Sequence, residues 1–103
     1  MKNNHSWIFT FITMADMNID EIDGYRFNGY FDWMGPGNSS GKEHFRGMYD
    51  PQTRKLLIQG HRLEDPRGNI GVGTYEAILS RNGNDFESGT WTGGGTWTAR
   101  SVQ

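Results

Sequence analysis

The stretch Tyr25 to Met34, YRFNGYFDWM, decides the fold. Tyr25, Phe27, Phe31 and Trp33 alternate with Arg26, Asn28, Asp32 and Met34, the two-residue period of a strand with one apolar face. Gly29 and Tyr30 interrupt the alternation, so a bulge or sharp bend at a barrel corner is expected there.

Working outward toward the N-terminus, Asp23-Gly24 reads as a turn, and Asp16 to Asp23 as an acidic connection leading into it. A first strand is expected from about His5 to Met14, with Trp7, Phe9 and Phe11 on one face and Ile8 and Ile12 on the other. Its apolar run is too short to span a membrane, and no small-residue cleavage pattern follows it.

Toward the C-terminus, Gly35 to Gly41 is a loop by composition. Lys42 to Tyr49 and Lys55 to Leu63 read as strands around an Asp50-Pro51-Gln52-Thr53 turn with Pro in its favoured second position. Asp65-Pro66-Arg67-Gly68 closes the second of them. Gly71 to Ser80 and Phe86 to Thr92 form a pair joined at Asn82-Gly83, a type I′ hairpin signal. Thr96 to Val102 follows the glycines Gly93 to Gly95. Gly47 is a second expected bulge.

With no amphipathic helical stretch between these turns, the fold class is all-β. We expect an antiparallel up-and-down meander of seven or eight strands forming a closed or nearly closed barrel, because closure removes both unpaired edges. Residues 1–103 form one domain, since a chain of this length buries one modest core. The apolar content is only 34% while 14% of residues are aromatic, so a few large rings must supply that core.

The formal charge of −2 gives no basic face for phosphate backbones, so no nucleic-acid partner is expected, and no membrane partner for the same reason. The absence of Cys fits a reducing compartment, and a cytoplasmic location is expected.

Several local patterns point to chemistry less than they first suggest. In the GPGNSSGK string the position that needs the first Gly of a phosphate loop is Pro36, and Glu43 stands where Ser or Thr should follow the Lys. The glycines of Gly68 to Gly73 lack the strand-turn-helix setting of a dinucleotide fingerprint. His5, His44 and His61 lie on three different strands without metal-ligand spacing, so no metal and no cofactor is expected. His44 and His61 can still meet across adjacent strands, with Glu43 or Glu64 near them. Ser39 and Ser40 sit in a loop with no nucleophile elbow, so no catalytic residue is assigned.

Arg26, Arg46, Arg62 and Arg100 recur at comparable depth in four strands, with Glu76 and Asp32 also mid-strand. Pointing inward, these residues suit an acidic or polar small molecule, because the guanidinium fork fits carboxylate and phosphate. Pointing outward, they are a solvated face, and Arg26, opposite the aromatic positions of its strand, favours that.

In layout the chain resembles the calycins, the meander barrels that include lipocalins, fatty-acid-binding proteins and avidins. Trp7 on the first strand and Arg100 on the last are similar to the lipocalin Trp–Arg pair. Gly73-Thr74-Tyr75-Glu76, the late tryptophans Trp91 and Trp97, and the loop Gly35 to Gly41 resemble avidin features, the loop standing where avidins carry a lid. The first strand lacks the Asn and Ser with which avidins hold biotin, so biotin is not implied.

The expected function is a non-enzymatic barrel that binds a small ligand under a Gly-rich lid. Its expected ligand-binding residues are Trp33, Ser39, Ser40, Tyr75, Trp91, Trp97, Arg46 and Arg62. The alternative is a protein-interaction or oligomerisation module, with a homo-oligomer or protein partner, a fully packed core and no ligand. An enzyme using an Arg with Glu76 or Asp32 is a third and weaker reading.

Overall fold

The computed structural model describes residues 5–10, 14–34, 40–64, 72–92 and 94–102. Among these residues there are eight strands: β1 (His5–Thr10), β2 (Met14–Asp23), β3 (Arg26–Met34), β4 (Ser40–Asp50), β5 (Lys55–Glu64), β6 (Thr74–Leu79), β7 (Asp85–Trp91) and β8 (Thr96–Val102). Each pairs antiparallel with the next, and β1 pairs with β8, so the sheet closes into a barrel with no free edge. The expected all-β meander is therefore the observed architecture.

The inward positions follow the pleat. Ala15, Met17 and Ile19 of β2, Phe27, Phe31 and Trp33 of β3, Phe45 of β4, Leu56 and Ile58 of β5, Tyr75, Ala77 and Leu79 of β6, Phe86 of β7, and Trp97 and Ala99 of β8 form one buried core. The large rings meet mostly edge-on or tilted, as at Phe27–Phe45 (6.2 Å), Phe31–Phe45 (4.8 Å) and Phe86–Trp97 (6.2 Å). Each such pair is worth about 0.5–1.5 kcal/mol beyond its buried area.

Glycine makes room for these rings. Phe27 lies directly opposite Gly47, Phe45 opposite Gly29, and Trp97 opposite Gly89. A Cβ at Gly47 would collide with the Phe27 ring, and one at Gly89 with the Trp97 carbonyl and indole.

Six sequence expectations are corrected. The Asp16 to Asp23 segment is not a connection but most of the ten-residue strand β2, because Ala15, Met17 and Ile19 supply a period-two apolar face beneath exposed Asp16 and Asp20. The single strand expected over His5 to Met14 is accordingly divided between β1 and the start of β2, with residues 11–13 outside the described residues.

Tyr25 belongs to the turn rather than to the aromatic face, and is 64% exposed. No bulge occurs at Gly47, since β3 and β4 pair without interruption. The irregularity near Gly29 belongs to the opposite strand, between Ile19 and Glu21, and another falls between His44 and Phe45, across from β5.

The Asn82-Gly83 hairpin forms, but as a wider loop than a type I′ turn. Ser80 N–H donates to the Asp85 carbonyl (2.8 Å), Gly83 N–H donates to the Ser80 carbonyl (3.0 Å), and of Asn82 and Gly83 only Gly83 has positive φ.

Strand directions place connections 24–25, 51–54 and 80–84 at one end of the barrel. The last residues of β1, β3, β5 and β7 lie at the other. No helix among the described residues is long and apolar enough to cross a membrane.

Candidate functional site

The second end holds the least expected side chain in the protein. On β4 the pleat that turns Lys42, His44 and Arg46 outward turns Glu43, Phe45 and Gly47 inward, so a carboxylate enters the core beside a phenylalanine. Glu43 is fully buried. An unpaired carboxylate there would be prohibitively costly.

Three donors reach it. Trp33 Nε1–H donates to Oε1 at 3.0 Å, Tyr75 O–H donates to the same oxygen at 2.8 Å, and Gly73 N–H donates to Oε2 at 2.9 Å. Gly60 lacks a side chain at the point where the carboxyl lies, and a Cβ there would collide with Oε2.

Desolvation raises the Glu43 pKa above the ordinary carboxylate value, and the bonds from Gly73, Tyr75 and Trp33 lower it only in part. Tyr75 is raised far above an ordinary phenol, first by burial and then by the neighbouring Glu43 charge and hydrogen bond.

Around this carboxyl the structure gathers four of the residues singled out from sequence. Trp33, Tyr75 and Trp97 are buried, and Trp91 is half-buried against the core. Tyr75 stacks on Trp91 with 6.3 Å between ring centroids, meets Trp97 edge-on at 6.3 Å, and meets Phe31 at 5.1 Å. Trp97 Nε1–H donates to the Thr90 carbonyl at 2.8 Å, which fixes its indole across Gly89. The rings therefore pack on one another as well as on Glu43.

The other residues singled out from sequence do not join this group. Arg46 and Arg62 are exposed on the outer wall, as are Arg26 and Arg100, so the inward arginine arrangement is corrected: each occupies the outward phase of its strand. Ser39 and most of the Gly35 to Gly41 lid lie outside the described residues, and Ser40 is placed only as the first residue of β4.

Glu76 is exposed and Asp32 half-buried, both in the outward phase. Arg100 lies opposite Ile8 and Trp7 opposite Ser101, so Trp7 and Arg100 are not register partners. His44 does meet Glu64, its Nε2 standing 2.6 Å from the carboxylate.

Glu43 is the residue that sequence reading placed only as a neighbour of the histidines. Its signal was its spacing: two residues from Phe45, it shares that ring's face.

Two cavities of about 400 and 480 Å³ lie along the outer wall. The first runs past Met48, Leu57 and Ile78 to Ser88 and Thr90, and the second past Arg26, Asn28, Arg46 and Gln59. The chain matches no family model, no curated protein and no solved structure.

Proposed function

We propose that this protein is a non-enzymatic small-ligand-binding barrel whose site lies at the end where β3 and β5 finish and β4 and β6 begin. The observation that supports this is the buried Glu43 carboxyl, held by Trp33, Tyr75 and Gly73, with the half-buried ring of Trp91 stacked on Tyr75. A perturbed ionisable group among aromatic walls at the mouth of a barrel is a usual setting for recognition.

The ligand is compact and carries a flat apolar part to lie on Trp91 and Trp33. A polar group on it engages the Glu43 cluster from the loop side. The resemblance to calycins, meander barrels that take ligands at one end, supports the same reading. No step of covalent chemistry is assigned.

The test is native mass spectrometry of the gently purified full chain, together with tryptophan emission against a panel of small metabolites. Binding gives a mass above the bare chain or an emission shift that Trp91→Ala weakens. A bare-chain mass with no shift across the panel overturns it.

The ring-on-ring packing around Tyr75 favours a second reading, an interaction module that works through its outer wall. Concentration-dependent mass in solution, with no ligand retained, would favour that reading over the first.

A further inference from the structure

The outer wall is divided by charge. Asp16, Asp20, Glu21 and Asp23 are exposed along β2, whereas Lys42, Arg46 and Arg62 occupy outward positions on β4 and β5. β3 stands between, with Arg26 in register with Asp23, and Glu21 and Asp23 share a groove with Arg26 and Arg46, so the basic side lies clear of the β2 acids toward His61 and Arg62.

A break in the β4–β5 register sharpens the basic side. His44 pairs with Arg62 and Phe45 with Gly60, which leaves His61 as the extra residue. The bulge turns two consecutive side chains, His61 and Arg62, into solvent, where a regular strand would show one. Arg46, opposite Gln59, and His44, opposite Arg62, are the facing groups on β4.

We propose that Arg46, His61 and Arg62 form an oxyanion-binding site on the outer wall, taking a phosphate or carboxylate group. This site is separate from the barrel interior and does not depend on the reading of Glu43.

Arg46 and Arg62 present planar forks suited to paired oxygens, and His61, the extra residue of the bulge beside Arg62, adds a third donor when protonated. Arg46 also lines the 480 Å³ groove that continues past Met48 and Leu57, a surface for an apolar portion attached to the anion, and Arg26, Glu21 and Asp23 line the same groove.

The surrounding charges agree. His61 is held below the ordinary imidazole value, first by desolvation and then by Arg46, His44 and Arg62. The nearby carboxylate, Glu64, is engaged by His44 at 2.6 Å. Lys42 lies over the Tyr30 ring, 4.9 Å from its centroid, and the nearest outward residues of β6 are Thr74, opposite Gln59, and Glu76, opposite Leu57. An anion seated among the three groups would reverse the local repulsion and raise the His61 pKa.

The test is an NMR titration of the histidine rings of the full chain in sodium chloride, sodium phosphate and sodium acetate at matched ionic strength. Phosphate or acetate is expected to raise the His61 pKa by roughly half a unit or more relative to chloride. A response to phosphate alone assigns a phosphate-bearing ligand, and a response to both assigns a carboxylate-tolerant one.

In the Arg46→Gln, Arg62→Gln double variant the His61 pKa in chloride rises and the anion response is lost. Both side chains are exposed and Gln keeps much of the stem, so the barrel remains folded, which a thermal melt checks. No difference among the three salts, or an unchanged response in the double variant, overturns the proposal.

Discussion

Tyr75 and Glu43 stand on β6 and β4, strands that do not touch, yet the Tyr75 hydroxyl donates to Glu43 Oε1 at 2.8 Å across the end of the barrel. The contact needs β5 between them to lack a side chain at Gly60. Curvature of the sheet and the position of one glycine therefore jointly create a polar centre within a largely apolar core.

Tyr75→Phe removes this donor while keeping the ring against Phe31, Trp91 and Trp97. Loss of a hydrogen bond to a buried, chargeable acceptor is expected to cost about 1.5–3 kcal/mol, measured by urea unfolding at neutral pH. A change within about 0.5 kcal/mol would mean that water or another donor takes its place.

Glu43 makes stability depend on pH. In the unfolded chain it titrates near 4.5, and burial raises it in the folded protein. Between those two values the folded state binds more protons, so stability from this group is whole below 4.5 and is lost as pH rises through the folded-state value. The unfolding free energy of the parent minus that of Glu43→Gln is expected to fall as pH increases from 4.5. A flat difference would show that the carboxyl is not raised.

Gly47→Ala makes a methyl collide with the Phe27 ring and is expected to destabilise by about 1–3 kcal/mol. Adding Phe27→Leu should recover part of that loss. The double-mutant coupling is expected at roughly 0.5–3 kcal/mol, whereas strict additivity would mean that the ring is not what the methyl meets.

Arg54 closes the β4–β5 turn at φ 61°, and its Nε–H donates to the Leu79 carbonyl at 3.1 Å. Arg54→Ala keeps the left-handed backbone and loses the bond. Arg54→Gly loses the same bond but relieves a backbone cost of roughly 1–2 kcal/mol, so thermal melts are expected to rank Gly above Ala. The reverse order would place the stabilisation in the side-chain stem.

Much of the fold is legible in residue spacing. Phe27, Phe31 and Trp33 state the inward face of β3 unaided, and the Asp50-Pro51 and Asn82-Gly83 turns mark where the chain reverses. β2 was missed because its outward acids dominate its composition, while its inward Ala15, Met17 and Ile19 include no ring and no β-branched pair to announce a strand. The candidate site is half legible: Trp33, Tyr75, Trp91 and Trp97 stand out by residue type and lie together, but Glu43 is legible only as a neighbour of His44 and His61.

The sequence by itself determined an all-β meander with an aromatic core, because period-two apolar positions separated by turn residues admit little else. Only the tertiary structure decided which wall each charged residue occupies and which distant strands meet. A bulge such as that at His61 shifts the phase of every later side chain, and the enclosure of Glu43 depends on curvature of the sheet, which brings Trp33, Gly60, and Gly73 with Tyr75 from three separate stretches of chain around one carboxyl.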